Sequence, residues 1–256
     1  MTVRSASDLV ASGYHAIETR MSRRRTAILI SGRGSNMMAL VEAARDPAFP
    51  AEIVGVIANR PDAAGLAWAG ERGIATFGLD HKAHSSREAF EGQLHRTLLD
   101  LGAEFVCLAG FTRVLTASFV DKWQGRMLNI HPSLLPAFKG LDTHEQALAA
   151  GVKIAGCTVH FVVPEMDAGP IIVQAAVPVA EADTPDTLAA RILAAEHRIY
   201  PHALRLVAAG GLRIEAGRVL GTSPIEPAAQ LVSPPPQHYG HAVIAGATSL
   251  TSRSGG

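Results

Sequence analysis

The sequence predicts an α/β fold, an open, doubly wound and mostly parallel sheet with an antiparallel part towards the C-terminus. Three observations predict it. Apolar runs of strand length alternate with helix-length segments between Thr26 and His131, the signature of successive βαβ units. A glycine-rich turn, Ser31-Gly32-Arg33-Gly34-Ser35-Asn36, links the first such run to the first helix. Beyond Ile154 the alternation stops, and two apolar runs are separated only by Pro164-Glu165-Met166-Asp167-Ala168-Gly169-Pro170. That separation suits a hairpin-like pair with an unusually built loop.

Each element follows from local residues. Thr26–Ile30 reads as a buried first strand, and Met37–Ala44 as the helix after the glycine turn. Glu52–Ala58 is a second strand, and Asn59-Arg60-Pro61-Asp62 turns the chain into a helix over Ala63–Arg72. Ala75–Phe77 forms a short third strand. Ser85-Ser86-Arg87-Glu88 resembles a capping-box entry to a helix running to about Leu101. Phe105–Ala109 is a fourth strand, followed by a helix around Ala117–Trp123. Met127, Leu128 and Ile130 then form a short strand that Pro132 and Pro136 forbid from continuing. A turn at Phe138-Lys139-Gly140 leads to a short helix over His144–Ala150. Ile154–Val163 and Ile171–Val179 are the two consecutive strands. Thr184-Pro185-Asp186 opens a long helix to about Gly210, with a bend expected near Pro201. Leu212–Ile214 and Arg218–Leu220 make a final short hairpin.

This gives three regions: an N-terminal extension over residues 1–24, a domain over 25–220, and a tail over 221–256. Met21-Ser22-Arg23-Arg24-Arg25, followed at once by a strand, reads as a natural start, which makes the first twenty residues an extension or an upstream mis-start. They carry scattered charge and no apolar core of a signal peptide. The tail is dominated by Pro, Ser, Gly and Ala and is expected to be flexible.

Composition excludes several classes. Lys+Arg and Asp+Glu are 23 each, so no global charge argues for a nucleic-acid or membrane partner. No apolar run approaches the ~20 residues of a membrane span. Cys107 and Cys157 sit in apolar runs and match no metal spacing, as expected of reduced core thiols in a cytoplasmic protein. His144-Glu145 begins like a zinc-protease helix, but Leu148 stands where the second histidine would be, so no metal is expected.

The chemistry concentrates at two places. In Asn129-Ile130-His131 the spacing of two puts the amide and the imidazole on one face of a strand, at its carboxyl edge. Ligands of open α/β sheets usually bind at such edges. An amide N–H can donate to a developing oxyanion, and an imidazole can move a proton near neutral pH. The alternative is a strand cap with a solvent-facing histidine. The second place is the turn at Gly34-Ser35-Asn36, where glycine lets the backbone approach closely and the free N–H groups of the helix start can hold an anion. It fits neither G-x-G-x-x-G nor the Walker pattern, so a small phosphate monoester suits it better than a dinucleotide. A capped tight turn is the plainer reading. His160 alternates within a strand and reads as structural. His197 reads as a helix-surface residue that could line the anion site.

Ser31-Gly32-Arg33-Gly34-Ser35-Asn36, Ala109-Gly110-Phe111-Thr112-Arg113-Val114-Leu115 and Asn129-Ile130-His131-Pro132-Ser133-Leu134-Leu135-Pro136 together resemble the glycinamide ribonucleotide transformylase family of folate-dependent formyltransferases. Asp167-Ala168-Gly169-Pro170 and Glu196-His197-Arg198-Ile199-Tyr200-Pro201 extend the resemblance, which runs from about Arg25 to Leu220. It implies a Rossmann-like formyltransferase fold. It also implies transfer of the formyl group of 10-formyltetrahydrofolate, a co-substrate, to the amine of 5-phosphoribosylglycinamide in purine biosynthesis. By matching motif, Asn129, His131 and Asp167 would be catalytic. Gly34, Ser35, Asn36 and the segment Leu193, Ala194, Ala195 and Glu196 would hold the ribonucleotide. Arg87, Thr112, Arg113, Val114, Leu115 and Asn129, with Val163, Pro164, Glu165, Met166 and Asp167, would hold the folate. Thr112 stands where relatives often carry Met, and Ala168 where Gly is commoner; both bear on the pterin pocket.

The implied reaction is direct attack of the amine on the formyl carbon through a tetrahedral oxyanion, without a covalent enzyme intermediate. Asn129 and a protonated His131 would donate to the oxyanion, each donor being worth roughly 3–4 kcal/mol of barrier. Asp167 would hold the imidazole and favour its charged form. The expected partners are small molecules, with no nucleic acid and no membrane, and the chain is expected to be a monomer or homodimer. Two other readings stay open. One is another folate-dependent formyl enzyme, a formyltetrahydrofolate hydrolase or a formyltransferase with a different acceptor. The other is a non-catalytic nucleotide-binding module on the same sheet.

Overall fold

The computed structural model describes residues 22–221 and Ser233. The expectations for residues 1–21 and for all but the first residue and Ser233 of the tail lie outside the described residues.

Nine strands and six α-helices follow in the order β1 (Arg24–Ile30), α1 (Ser35–Ala44), β2 (Ala51–Ala58), α2 (Ala64–Gly70), β3 (Thr76–Gly78), α3 (Arg87–Asp100), β4 (Phe105–Leu108), α4 (Ala117–Lys122), β5 (Met127–His131), α5 (Thr143–Ala149), β6 (Ile154–Phe161), β7 (Ile171–Pro178), α6 (Pro185–Ala209), β8 (Arg213–Glu215) and β9 (Arg218–Leu220), among the described residues. The main sheet has strand order β3-β2-β1-β4-β5-β6-β7. Its first five strands are parallel, whereas β6 is antiparallel to both β5 and β7. This is the doubly wound sheet with an antiparallel end that the sequence predicts. Elements differ from that reading mainly at their ends. The strand expected to reach Val163 stops at Phe161, and the helix expected over Ala63–Arg72 spans only Ala64–Gly70. The long helix continues through Pro201 to Ala209.

The period of two within β1 divides the core. Ile28 and Ile30 pack with Met37, Leu40, Leu188, Ile192 and Tyr200 on the α1 and α6 side. Ala27 and Leu29 pack with Phe90, Leu94, Phe119 and Trp123 on the α3 and α4 side. In β5, Leu128 and Ile130 belong to the first cluster and Met127 to the second. Alternation therefore turns Asn129 and His131 to the α3 and α4 side. Val159 and Phe161 of β6 likewise join the first cluster, which turns Thr158 and His160 to the other face. That face of β5 and β6 is open to a loop instead of a helix, and the polar residues gather there.

Helix α6 is the clamp of the opposite face. Its start carries a reciprocal cap, with Thr184 and Thr187 each bonding the other's backbone. Further along, the fully buried Tyr200 hydroxyl lies 3.0 Å from the Leu108 carbonyl and 3.1 Å from that of Leu128. It thereby joins β4 to β5 one residue before Asn129.

Candidate active site

Antiparallel pairing sets Asn129 opposite His160, and His131 opposite Thr158. The loop after β6 returns across this face and brings Asp167 against both histidines. Asp167 Oδ2 lies 3.5 Å from His131 Nδ1, and its Oδ1 lies 3.9 Å from His160 Nε2. The carboxylate is fixed on its own side by the Gly140 N–H, which donates to Oδ2 at 2.9 Å. Asp167 adopts φ 50°, a left-handed conformation that Asp and Asn tolerate better than most residues. Two residues on, Gly169 is packed so closely that an added Cβ would stand 1.7 Å from the Phe161 carbonyl oxygen. Only glycine lets the loop lie this near the end of β6.

The hydrogen bonds fix the rings. His131 Nε2 faces the Phe138 carbonyl at 2.9 Å and so donates to it, leaving Nδ1 towards Asp167. His160 Nδ1 faces the Phe161 carbonyl at 2.9 Å and donates there. Its Nε2 is then an acceptor when the ring is neutral, and Asn129 Nδ2 lies 3.2 Å away to donate to it. Burial pushes the His160 pKa down, against the Phe161 carbonyl and Asp167, which act the other way. The neutral ring thus holds the Asn129 amide by one N–H and leaves the second N–H free. His160, read from sequence as structural, is structural in this sense: it orients the candidate oxyanion donor. The segment after His131 is anchored too. The Thr158 hydroxyl donates to the Ser133 carbonyl at 2.7 Å and accepts from the Leu135 N–H at 3.0 Å.

The second cluster sits where strand order reverses, between β1 and β4. A cleft of about 410 Å³ is lined there by residues 31–36, Arg60, Ala109, Gly110 and Thr112. Such a switch point is the usual ligand position in an open α/β sheet. The loops after β1 and β4 are tied together, Ser31 N–H to the Gly110 carbonyl at 3.1 Å and Thr112 N–H to Ser31 Oγ at 2.9 Å. Gly34, with φ 70°, caps α1, and no side chain accepts a cap bond there. The side-chain cap of the plainer sequence reading, a capped tight turn, does not form. Asn36 is instead buried, and its Nδ2 donates to Glu196 Oε2 on α6 at 2.7 Å. One of its two amide N–H groups is thereby committed to a carboxylate. Its Oδ1 is buried without a partner. Burial raises the Glu196 pKa and the Asn36 bond opposes that rise. His197 beside it has its pKa lowered, first by burial and then by the charge of Arg33.

The residues matched to a folate site are more dispersed. Arg87 is exposed in the first turn of α3, and its guanidinium has no hydrogen bond or ion pair among the described residues. Arg113 lies with its guanidinium 5.2 Å from the centre of the Phe90 ring, and its Nε is buried without a partner. Thr112 and Val114 are exposed and Leu115 half-buried, while Pro164, Glu165 and Met166 are exposed and Val163 half-buried. Glu91, which sequence reading passed over, accepts from the Thr116 N–H at 2.8 Å and from its hydroxyl, and so fixes the far end of the Thr112–Leu115 loop. Leu193, Ala194 and Ala195 occupy the turn of α6 before Glu196, and only Glu196 among them makes a polar side-chain contact. Among the described residues, no three His, Cys, Asp or Glu are placed to hold a metal ion, and no helix is long and apolar enough to cross a membrane.

Comparison with known proteins covers most of the chain. The family model described as Formyl transferase matches residues 24–204. Phosphoribosylglycinamide formyltransferase of Escherichia coli is 44% identical over 187 residues, which is 73% of this chain and 88% of that protein. The trifunctional purine biosynthetic protein adenosine-3 of Bos taurus is 52% identical over 198 residues, 77% of this chain, of which the chain spans only 20%. The crystal structure of glycinamide ribonucleotide transformylase 1 from Symbiobacterium toebii superposes with a TM-score of 0.75 at 49% identity, covering 77% of this chain and 93% of that one. The chain belongs to the formyl transferase family and, within it, to the phosphoribosylglycinamide formyltransferases.

Proposed function

We propose that the chain transfers the formyl group of 10-formyltetrahydrofolate to the amine of 5-phosphoribosylglycinamide, with Asn129, His131 and Asp167 at the reacting carbon. The observation that carries this reading is the juxtaposition of the two polar clusters. Adjacent strands lie ~4.8 Å apart, so β1 and β5, with β4 between them, stand roughly 10 Å apart. That span suits a phosphoribosyl group anchored at Gly34, Ser35 and Asn36 whose amine reaches Asn129. Glu196, on α6 and bonded to Asn36, accepts hydrogen bonds from the ribose hydroxyls.

The amine attacks the formyl carbon and the carbonyl oxygen becomes an oxyanion. The free N–H of Asn129 donates to it, and His131 adds a second donor by turning its Nε2–H from the Phe138 carbonyl to the oxyanion. Since His160 holds the amide beforehand, the Asn129 donor needs no reorganisation as charge develops. Asp167 sets the ring orientation of His131. Collapse of the intermediate breaks the bond to the tetrahydrofolate nitrogen, and the proton lost by the amine ends on that nitrogen. Folate lies along Arg87, the segment Thr112, Arg113, Val114 and Leu115, and the segment Val163, Pro164, Glu165 and Met166. Val114 and Met166, 57% and 58% exposed, offer apolar surface to a flat ring.

Steady-state and single-turnover transfer by Asn129→Ala and Asp167→Asn tests the assignment. Each is expected to lower the rate by on the order of a hundredfold or more, the usual scale for a group acting in the transition state, while leaving the affinity for both substrates nearly unchanged. Full activity in either variant removes that residue from the site.

A further inference from the structure

We propose that Arg33 and Arg60 form a two-guanidinium clamp that recognises the phosphate of the acceptor, in addition to the backbone amides of the glycine loop. The inference rests on the proposed function, and it assigns the charge that the cleft needs. Apart from these two residues, the lining of the cleft is neutral: Ser31, Gly32, Gly34, Ser35, Asn36, Ala109, Gly110 and Thr112. Beneath the loop lies the buried Glu196, bonded to Asn36. A phosphate monoester carries nearly two negative charges at neutral pH. Backbone amides alone would leave it facing a carboxylate with no cation to balance either group.

The two arginines come from neighbouring strands and flank the cleft. Arg33 lies in the loop after β1, and Arg60 follows the end of β2 by two residues. Arg33 is exposed, and its guanidinium makes no hydrogen bond or ion pair among the described residues. Arg60 engages only one edge of its fork: Nε lies 3.3 Å from Asp62 Oδ1 and Nη2 lies 3.0 Å from Oδ2. Its Nη1 side is left for another oxyanion. Both partners of this pair are more than half exposed, 58% and 71%, so water and salt weaken it. The geometry is that of an arginine held ready by a surface carboxylate, with planar donors that match phosphate oxygens two at a time.

The test measures binding of the ribonucleotide and of its dephosphorylated riboside to the full chain by calorimetry, in 50 and 300 mM salt. Arg33→Gln, Arg60→Gln and Arg60→Lys are compared with the unaltered protein. Each Gln variant is expected to weaken ribonucleotide binding about tenfold, the scale of one charge-assisted contact at an exposed site, and to flatten its salt dependence. Affinity for the riboside and for the formyl donor stays the same, and Arg60→Lys recovers part of the loss. Unchanged ribonucleotide affinity in both Gln variants overturns the clamp. So does an equal loss for the riboside, which would mean that the arginines act through the fold. An unaltered protein that binds no ribonucleotide overturns the functional reading itself, and the clamp with it.

Discussion

Replacing Asn36 with Ala should destabilise the protein by an amount that grows with pH, because the side chain answers a buried carboxylate. Asn36 and Glu196 are 8% and 6% exposed, and their single bond of 2.7 Å links α1 to α6 across 160 residues. A hydrogen bond to an ionised group contributes about 1.5–3 kcal/mol, and one between neutral groups about 1 kcal/mol. Burial raises the folded-state pKa of Glu196 above its ordinary 4.5, while Asn36 holds it down. As pH rises past 4.5 the unfolded chain therefore ionises first, and stability falls until the folded carboxyl also ionises. Without Asn36 the folded value moves higher still, so that loss continues further up the pH scale. The cost of Asn36→Ala should accordingly be near 1 kcal/mol at pH 4 and approach ~2–3 kcal/mol well above the folded value. Urea denaturation of the unaltered protein, Asn36→Ala, Glu196→Gln and the double variant from pH 4 to 8 measures this. The coupling energy between the two sites should rise with pH. A flat difference, or single effects that simply add, would refute the reasoning.

Other consequences are as direct. Gly169→Ala places a Cβ 1.7 Å from the Phe161 oxygen, so it should cost ~3 kcal/mol or more and displace Asp167; a denaturation midpoint within error of the unaltered protein would contradict this. Tyr200→Phe removes the hydroxyl that bridges the Leu108 and Leu128 carbonyls and should lower stability by about 1–2 kcal/mol in the same assay. Burial lowers the pKa of His95, His144, His160 and His197 below 6.5. Their contribution is complete above pH 6.5 and is lost as pH falls from there through the folded values, where the unfolded chain takes up protons first. For the buried His160 the slope is at most ~1.4 kcal/mol per pH unit in that window, water screening makes it smaller for the other three, and His160→Gln should remove its part from a midpoint-against-pH curve.

The sheet could be read from the chain because each strand states its own period. Thr26–Ile30 and Met127–His131 needed no knowledge of their neighbours, and the spacing of Asn129 and His131 fixed their common face. What stayed hidden was set by pairing between distant segments. His160 lies opposite Asn129 only because β6 runs antiparallel to β5 in one particular register. The available signal was weak: Thr158 and His160 are the polar members of one parity in an otherwise apolar strand. Asn36 was recognised at an anion site, but its commitment to Glu196 depends on α6 returning over α1, which no local pattern states. Gly169 looked like one more loop glycine until the backbone of β6 passed beside it. The arginines of the cleft looked like turn residues, because a surface guanidinium carries no periodicity.

The central claim is that one site moves a formyl group from a folate to a ribonucleotide amine. Incubation with 10-formyltetrahydrofolate labelled with carbon-13 in the formyl group, with and without 5-phosphoribosylglycinamide, tests it most directly, using NMR to follow the label. The account predicts that the label appears as a formamide carbon on the acceptor, only when acceptor is present, and that Asn129→Ala nearly abolishes its appearance. Label released as free formate at an equal rate in the absence of acceptor would contradict it and would make the chain a hydrolase.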